Sequence, residues 1–159
     1  MQAPHPHFLD LSLRMARTHE LNYQLQAELG AVYESILDMR HFGKHHPYMR
    51  DVTLLTSTPH FTEYEIHEMV WIFGFIPQWP RYTAKVFEKE KLRHIQYTSA
   101  VKGGLDLKID FLFARSGNST HIAERIDIVG NPLVGSILMS TIKKAHVELF
   151  QSLQEALHA

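Results

Sequence analysis

The sequence contains no cysteine at all. That single absence excludes disulfides, thiolate nucleophiles and zinc-thiolate sites together, and leaves the redox compartment open. Long apolar runs are missing too. The longest stretches without a charged residue, Met69 to Pro80 and Ile128 to Ile142, fall short of the roughly 18 residues that would span a bilayer, and both are interrupted by proline. Charge of one sign is not in excess: sixteen Lys and Arg face seventeen Asp and Glu, a formal charge of -1, so nothing overall favours nucleic acid or an anionic membrane. Met1 to Asp10 lacks the basic start and apolar run of a signal peptide, and a cytoplasmic location is expected. Repeats, low-complexity tracts, Gly-rich phosphate loops, nucleophile elbows and HExxH motifs are likewise lacking.

What is present begins with length. The 159 residues fit one domain, long enough to bury about two thirds of the unfolded surface. Twelve histidines would make the chain cationic in mild acid. The C-terminal stretch carries the strongest pattern. Asn131 suits a helix cap and Pro132 a first turn, and Leu138, Ile142, Leu149, Leu153 and Leu157 mark one apolar stripe, with His146 near its centre and Phe150 at its edge. A stripe of this length needs an extended partner surface.

The upstream chain supplies one. Alternating apolar residues predict a strand over Leu21 to Ala27, with an earlier strand or ordered arm over Leu9 to Met15. Two short helices follow, Ala31 to Met39 and Arg40 to Pro47. Strands are then predicted over Val52 to Ser57, Phe61 to Phe73, Tyr82 to Lys89, Leu92 to Val101, Leu105 to Ala114 and His121 to Val129, with Gly103-Gly104 and Ser116-Gly117-Asn118-Ser119 as turns. In the clearest of them Leu105, Leu107, Ile109, Phe111 and Phe113 share one face, and Asp106, Lys108 and Asp110 the other. The fold class is therefore α+β: a curved antiparallel sheet of about six or seven strands wrapped around a long C-terminal helix, with an arm over residues 1–17 and one domain over residues 18–159.

Residues about 18 to 158 resemble the START-like (SRPBCC) superfamily, whose helix-grip fold includes polyketide cyclase/dehydrase-like and coenzyme Q-binding-like proteins. The resemblance is carried by Val32-Tyr33 with Leu37-Asp38, by Phe42 to Val52 (FGKHHPYMRDV), by Ile95-Gln96-Tyr97 before a Gly-Gly turn, and by the terminal amphipathic helix. It implies a hydrophobic cavity between sheet and helix, of the kind in which members hold lipids, polyketides, quinones or hormones.

Alternation places Tyr64, Ile66, Glu68 and Val70 on one inward face and Ile126 with Glu124 on another. With Tyr82, Tyr97, Leu107, Ile109, Phe111, Ile142, His146 and Phe150 these are the expected ligand-binding residues. Glu68, Glu124 and His146 are the candidates for acid-base work, because a desolvated carboxylate titrates nearer neutrality and an inward histidine can bond a ligand carbonyl or pair with an inward glutamate. The competing expectation is that each glutamate keeps its head in water and that His146 is merely packed. Phe75, Ile76 and Trp79 lie in a connection too apolar for a hairpin loop and are expected at the cavity mouth, where residues 71–79 would make a transient membrane or protein contact. His41 and His45 would share a helix face, but with no carboxylate or third histidine at matching spacing no metal site is expected there, nor at His5 and His7, and no cofactor.

The leading expectation is a binder or carrier of a hydrophobic small molecule. The alternatives are an aromatase/cyclase-type enzyme using Glu68, Glu124, Tyr97 or His146, and a protein-interaction module using the loop from Trp71 to Trp79.

Overall fold

The structure, a computed structural model, describes residues 14–101 and 104–158. Among the described residues, nine strands and three helices run in the order β1 (Met15–Leu25), α1 (Leu29–Leu37), α2 (Met39–His45), β2 (Met49–Ser57), β3 (Thr62–Glu68), β4 (Val70–Ile72), β5 (Ile76–Gln78), β6 (Arg81–Glu90), β7 (His94–Val101), β8 (Leu105–Ser116), β9 (Ser119–Gly130) and α3 (Pro132–His158). The expected strand or arm over Leu9, Leu11 and Leu13 lies outside the described residues.

Seven strands form one antiparallel sheet in the order β1-β9-β8-β7-β6-β3-β2. Short hairpins join neighbours, as antiparallel pairing permits. The exceptions are β3 to β6, joined through residues 69–80, and β1 to β2, which sit at opposite edges and are joined by α1 and α2. Alternation along β8 and β9 puts Leu105, Ile109, Phe111, Phe113, Ile122, Ile126 and Ile128 into the core. Asp106 on the other face stays exposed, while Lys108 pairs there with Asp127 at 3.3 Å. A sheet with one apolar face needs a cover.

Helix α3 is that cover. Asn131 Oδ1 accepts from the backbone N–H groups of Leu133 at 3.0 Å and Val134 at 3.2 Å, satisfying donors the helix start would otherwise leave open. At about 1.5 Å per residue its 27 residues reach about 40 Å, enough to cross the sheet. Ile142, His146, Leu149, Phe150 and Leu153 are buried beneath it. Between α1 and α2, Asp38 caps α2 by accepting from Arg40 N–H at 2.9 Å.

One strand prediction needs correcting. The run expected as a single strand over Phe61 to Phe73 ends its sheet pairing at Glu68. The chain is diverted because Glu68 N–H donates to Pro80 O at 3.0 Å and Met69 N–H to Tyr48 O at 2.9 Å. Val70–Ile72 then pairs with Ile76–Gln78 as a separate two-stranded hairpin.

Candidate functional site

Sheet and helix do not meet everywhere. Towards the first half of α3 they enclose a cavity of about 210 Å³. Among the side chains expected to bind ligand, Ile66, Glu68, Val70, Tyr82, Tyr97, Leu107, Ile109, Ile142 and His146 line it. Tyr64, Phe111, Glu124, Ile126 and Phe150 are buried without lining it. At that end the helices rest directly on the sheet: Phe150 packs on Tyr23 with ring centroids 4.1 Å apart, and Phe111 packs 5.1 Å from Tyr97 and 6.3 Å from Phe150. Of the expected mouth, Phe75, Ile76 and Trp79 stay exposed, while Ile72 and Pro80 from the same segment reach the cavity wall.

The polar side chains of the cavity wall include His46, Glu68, Tyr82 and His146, with Glu124 and Tyr23 behind His146. On β9 and α3, Glu124 Oε1 meets His146 Nδ1, and Tyr23 on β1 donates its hydroxyl to Glu124 Oε2 at 3.0 Å. Burial, and then the Glu124 charge, raise the Tyr23 hydroxyl far above its ordinary range. Glu124 is 1 % exposed and His146 3 %, so the pair is closed to bulk water. With Nδ1 engaged, His146 has only Nε2 left to offer from its place in the cavity wall, where no protein partner takes it among the described residues.

His46, just after α2, stands opposite. Its Nδ1 accepts from the backbone N–H groups of Tyr48 at 3.2 Å and Met49 at 3.3 Å. Burial, reinforced by the nearby His146, pushes its pKa down to about 3, so the ring is neutral. Its proton then resides on Nε2, which makes that atom a donor. The two imidazoles lie edge to face at 5.7 Å, with Phe42 5.9 Å from His46 and 5.5 Å from His146.

Glu68 ends β3 and accepts from the Tyr82 hydroxyl at 2.7 Å. Burial raises the Glu68 carboxyl above its ordinary range, against the opposing pull of the Tyr82 bond and of His146. Tyr97 differs from these groups. Its ring lines the cavity, but its hydroxyl donates to the Ile36 carbonyl and is spent on holding α1 to the sheet.

Sequence reasoning missed Met39, Phe42, His46, Tyr48 and Met49 as lining residues, along with Val134, Ile137, Leu138 and Thr141 on α3. The signal for the first group was His46-Pro47, which limits α2 and turns the chain back over the sheet. Neither His41 nor His45 reaches the cavity; His45 Nδ1 lies 3.0 Å from Ser152 Oγ. Among the described residues no three His, Asp or Glu side chains gather as metal ligands.

A seven-stranded antiparallel sheet gripping one long helix over an apolar cavity defines the class: this chain has the helix-grip fold of the START-like (SRPBCC) proteins. No protein-family profile matches the sequence, and no curated protein does. Solved structures do match. The Zhui aromatase/cyclase from a Streptomyces species has a TM-score of 0.75 at 14% identity, covering 91% of this chain and 94% of its own. Ara h 8.0201 has a TM-score of 0.70 at 10% identity, with 90% and 98% covered. A START superfamily protein from Mycobacterium smegmatis has a TM-score of 0.66 at 15% identity, with 89% and 97% covered. Identities this low establish the fold and leave the chemistry to the residues of this chain. No described helix is long and apolar enough to cross a membrane.

Proposed function

We propose that the protein binds and carries a compact, mostly apolar small molecule with one polar end. The observation that carries this reading is the 210 Å³ cavity, whose wall is apolar except for a few polar groups that include His46, His146, Glu68 and Tyr82. Ligand sites are usually built this way, apolar for affinity with a few fixed polar groups for orientation. At 210 Å³ the space is below the roughly 300–1,000 Å³ usual for ligand pockets. A one- or two-ring compound, or the head of a quinone or isoprenoid, suits it; a whole lipid requires the mouth to open. Native mass spectrometry tests this. A discrete added mass that leaves on denaturation, identified after solvent extraction, is the expected result. A bare 18.4 kDa chain that also takes up no apolar fluorescent probe overturns it.

One observation favours a second reading, in which the same site catalyses proton transfer on a bound carbonyl compound. Glu124 holds His146 by Nδ1 and leaves Nε2 on the cavity side as base, while His46 Nε2–H is a donor for the developing oxyanion. The similar aromatase/cyclase structure is consistent with it. His146→Gln separates the two: a carrier keeps its ligand, whereas an enzyme keeps binding and loses turnover.

A further inference from the structure

The β4–β5 hairpin presents apolar surface for which the fold has no use. Its strands pair with each other and with no strand of the main sheet. Trp71 is 50% exposed, Phe73 72%, Phe75 71% and Trp79 59%, and no residue from Met69 to Pro80 is charged. Phe73 also holds a left-handed backbone, with φ of 53°. Glycine or asparagine would adopt that conformation at less cost, so an exposed phenylalanine there serves neither the turn nor the core.

The hairpin's root leads into the cavity. Val70, Ile72 and Pro80 line the chamber, as does Val134 on the first turn of α3, beside the exposed Leu133. The aromatic tip therefore borders the mouth through which an apolar ligand would pass. Arg50 and Arg81 are exposed at the root beside one exposed acid, Asp51. Asp51, His67 and Arg81 form one row across β2, β3 and β6, with exposed Arg50 next to Asp51. Glu68, the nearest other acid, turns its carboxylate to Tyr82.

We propose that this hairpin docks the protein on an anionic lipid surface, seating its four aromatic rings among the headgroups with the cavity mouth towards the acyl chains. Tryptophan and phenylalanine suit that boundary, and arginines at the root complement its charge. A stable protein partner is a poorer fit, because it needs about 20 to 30 residues a side with hydrogen-bonding groups at the rim. The uncharged stretch from Met69 to Pro80 is much smaller than that. Docking goes beyond the carrier reading, and each stands or falls separately.

The chain has only two tryptophans, Trp71 and Trp79, so its intrinsic emission reports on this hairpin alone. The full-length protein is mixed with vesicles of phosphatidylcholine, alone or containing phosphatidylglycerol, and followed by tryptophan emission and co-sedimentation. The expected result is a blue shift and sedimentation that increase with phosphatidylglycerol. Phe73→Ser/Phe75→Ser should weaken partitioning about tenfold or more. Both positions are exposed, so an unchanged melting curve verifies the folding of the variant, and uptake of an apolar dye reads the cavity independently. An unshifted emission without sedimentation on either vesicle overturns the proposal, as does a double variant that binds like the wild type. Equal binding to both compositions overturns the anionic surface. A concentration-dependent dimer abolished by the same substitutions, without vesicle binding, overturns it in favour of a second copy.

Discussion

Glu124 of β9 and His146 of α3 meet inside the core, carboxylate to Nδ1, with the Tyr23 hydroxyl closing the other carboxylate oxygen at 3.0 Å. This contact ties the helix to the sheet where packed core gives way to cavity. Removing one partner leaves a buried polar group without its bond. His146→Leu should therefore cost roughly 3 kcal/mol in urea unfolding, whereas Glu124→Leu/His146→Leu should cost much less than the two single changes summed. A sum of singles equal to the double would show that the pair is not coupled.

Two desolvated groups of the cavity wall pull the pH dependence of stability in opposite directions. His46 has a folded pKa depressed to about 3, so its contribution is fully present above the ordinary value of 6.5 and is lost progressively as pH falls towards 3. Glu68 has a raised folded pKa, so its contribution is fully present below the ordinary 4.5 and declines as pH rises through the folded value. Chemical unfolding across pH should show His46→Asn flattening the acid limb. Glu68→Gln should stabilise the protein near neutrality and have no effect in strong acid.

Tyr97 was a candidate ligand group by sequence, but its hydroxyl is bonded to the Ile36 carbonyl. Tyr97→Phe should lower stability by about 1–2 kcal/mol, since a buried carbonyl loses its donor, and leave ligand occupancy unchanged. A loss of ligand without a loss of stability would return the hydroxyl to the binding site.

Gly130 ends β9 with φ of 155°, and an added Cβ would stand 2.7 Å from Gly104 O and 2.5 Å from Leu105 Cδ2. Because the oxygen is backbone, it has little freedom to give way. Gly130→Ala should destabilise by about 1–3 kcal/mol in thermal unfolding.

Val70 lines the cavity at the root of the hairpin, outside the seven-stranded sheet. Val70→Trp should fill much of the 210 Å³ with little effect on the sheet. Native mass spectrometry should then show the loss of any co-purifying ligand while the melting curve stays near that of the wild type.

The sequence by itself determined most of the elements and their buried faces, whereas the break of the Phe61 to Phe73 run at Glu68 was decided by tertiary contacts. Period-two alternation put Glu124 inward with Ile122 and Ile126, because a strand has only two faces, and stripe spacing put His146 beneath α3 with Ile142 and Leu149. Asn131 and Pro132 fixed where the helix starts, since capping is a local interaction. The tertiary structure decided which part of the shared inward face is hollow. Phe111 and Ile109 have the same parity on β8, but Phe111 packs against Tyr97 and Phe150 while Ile109 lines the cavity, a difference set by the packing between separate elements. His46 and Tyr23 entered the site in the same way. One reaches His146 from the far end of the α1–α2 crossing and the other reaches Glu124 from the edge strand, and no sequence period records contacts made between separate elements.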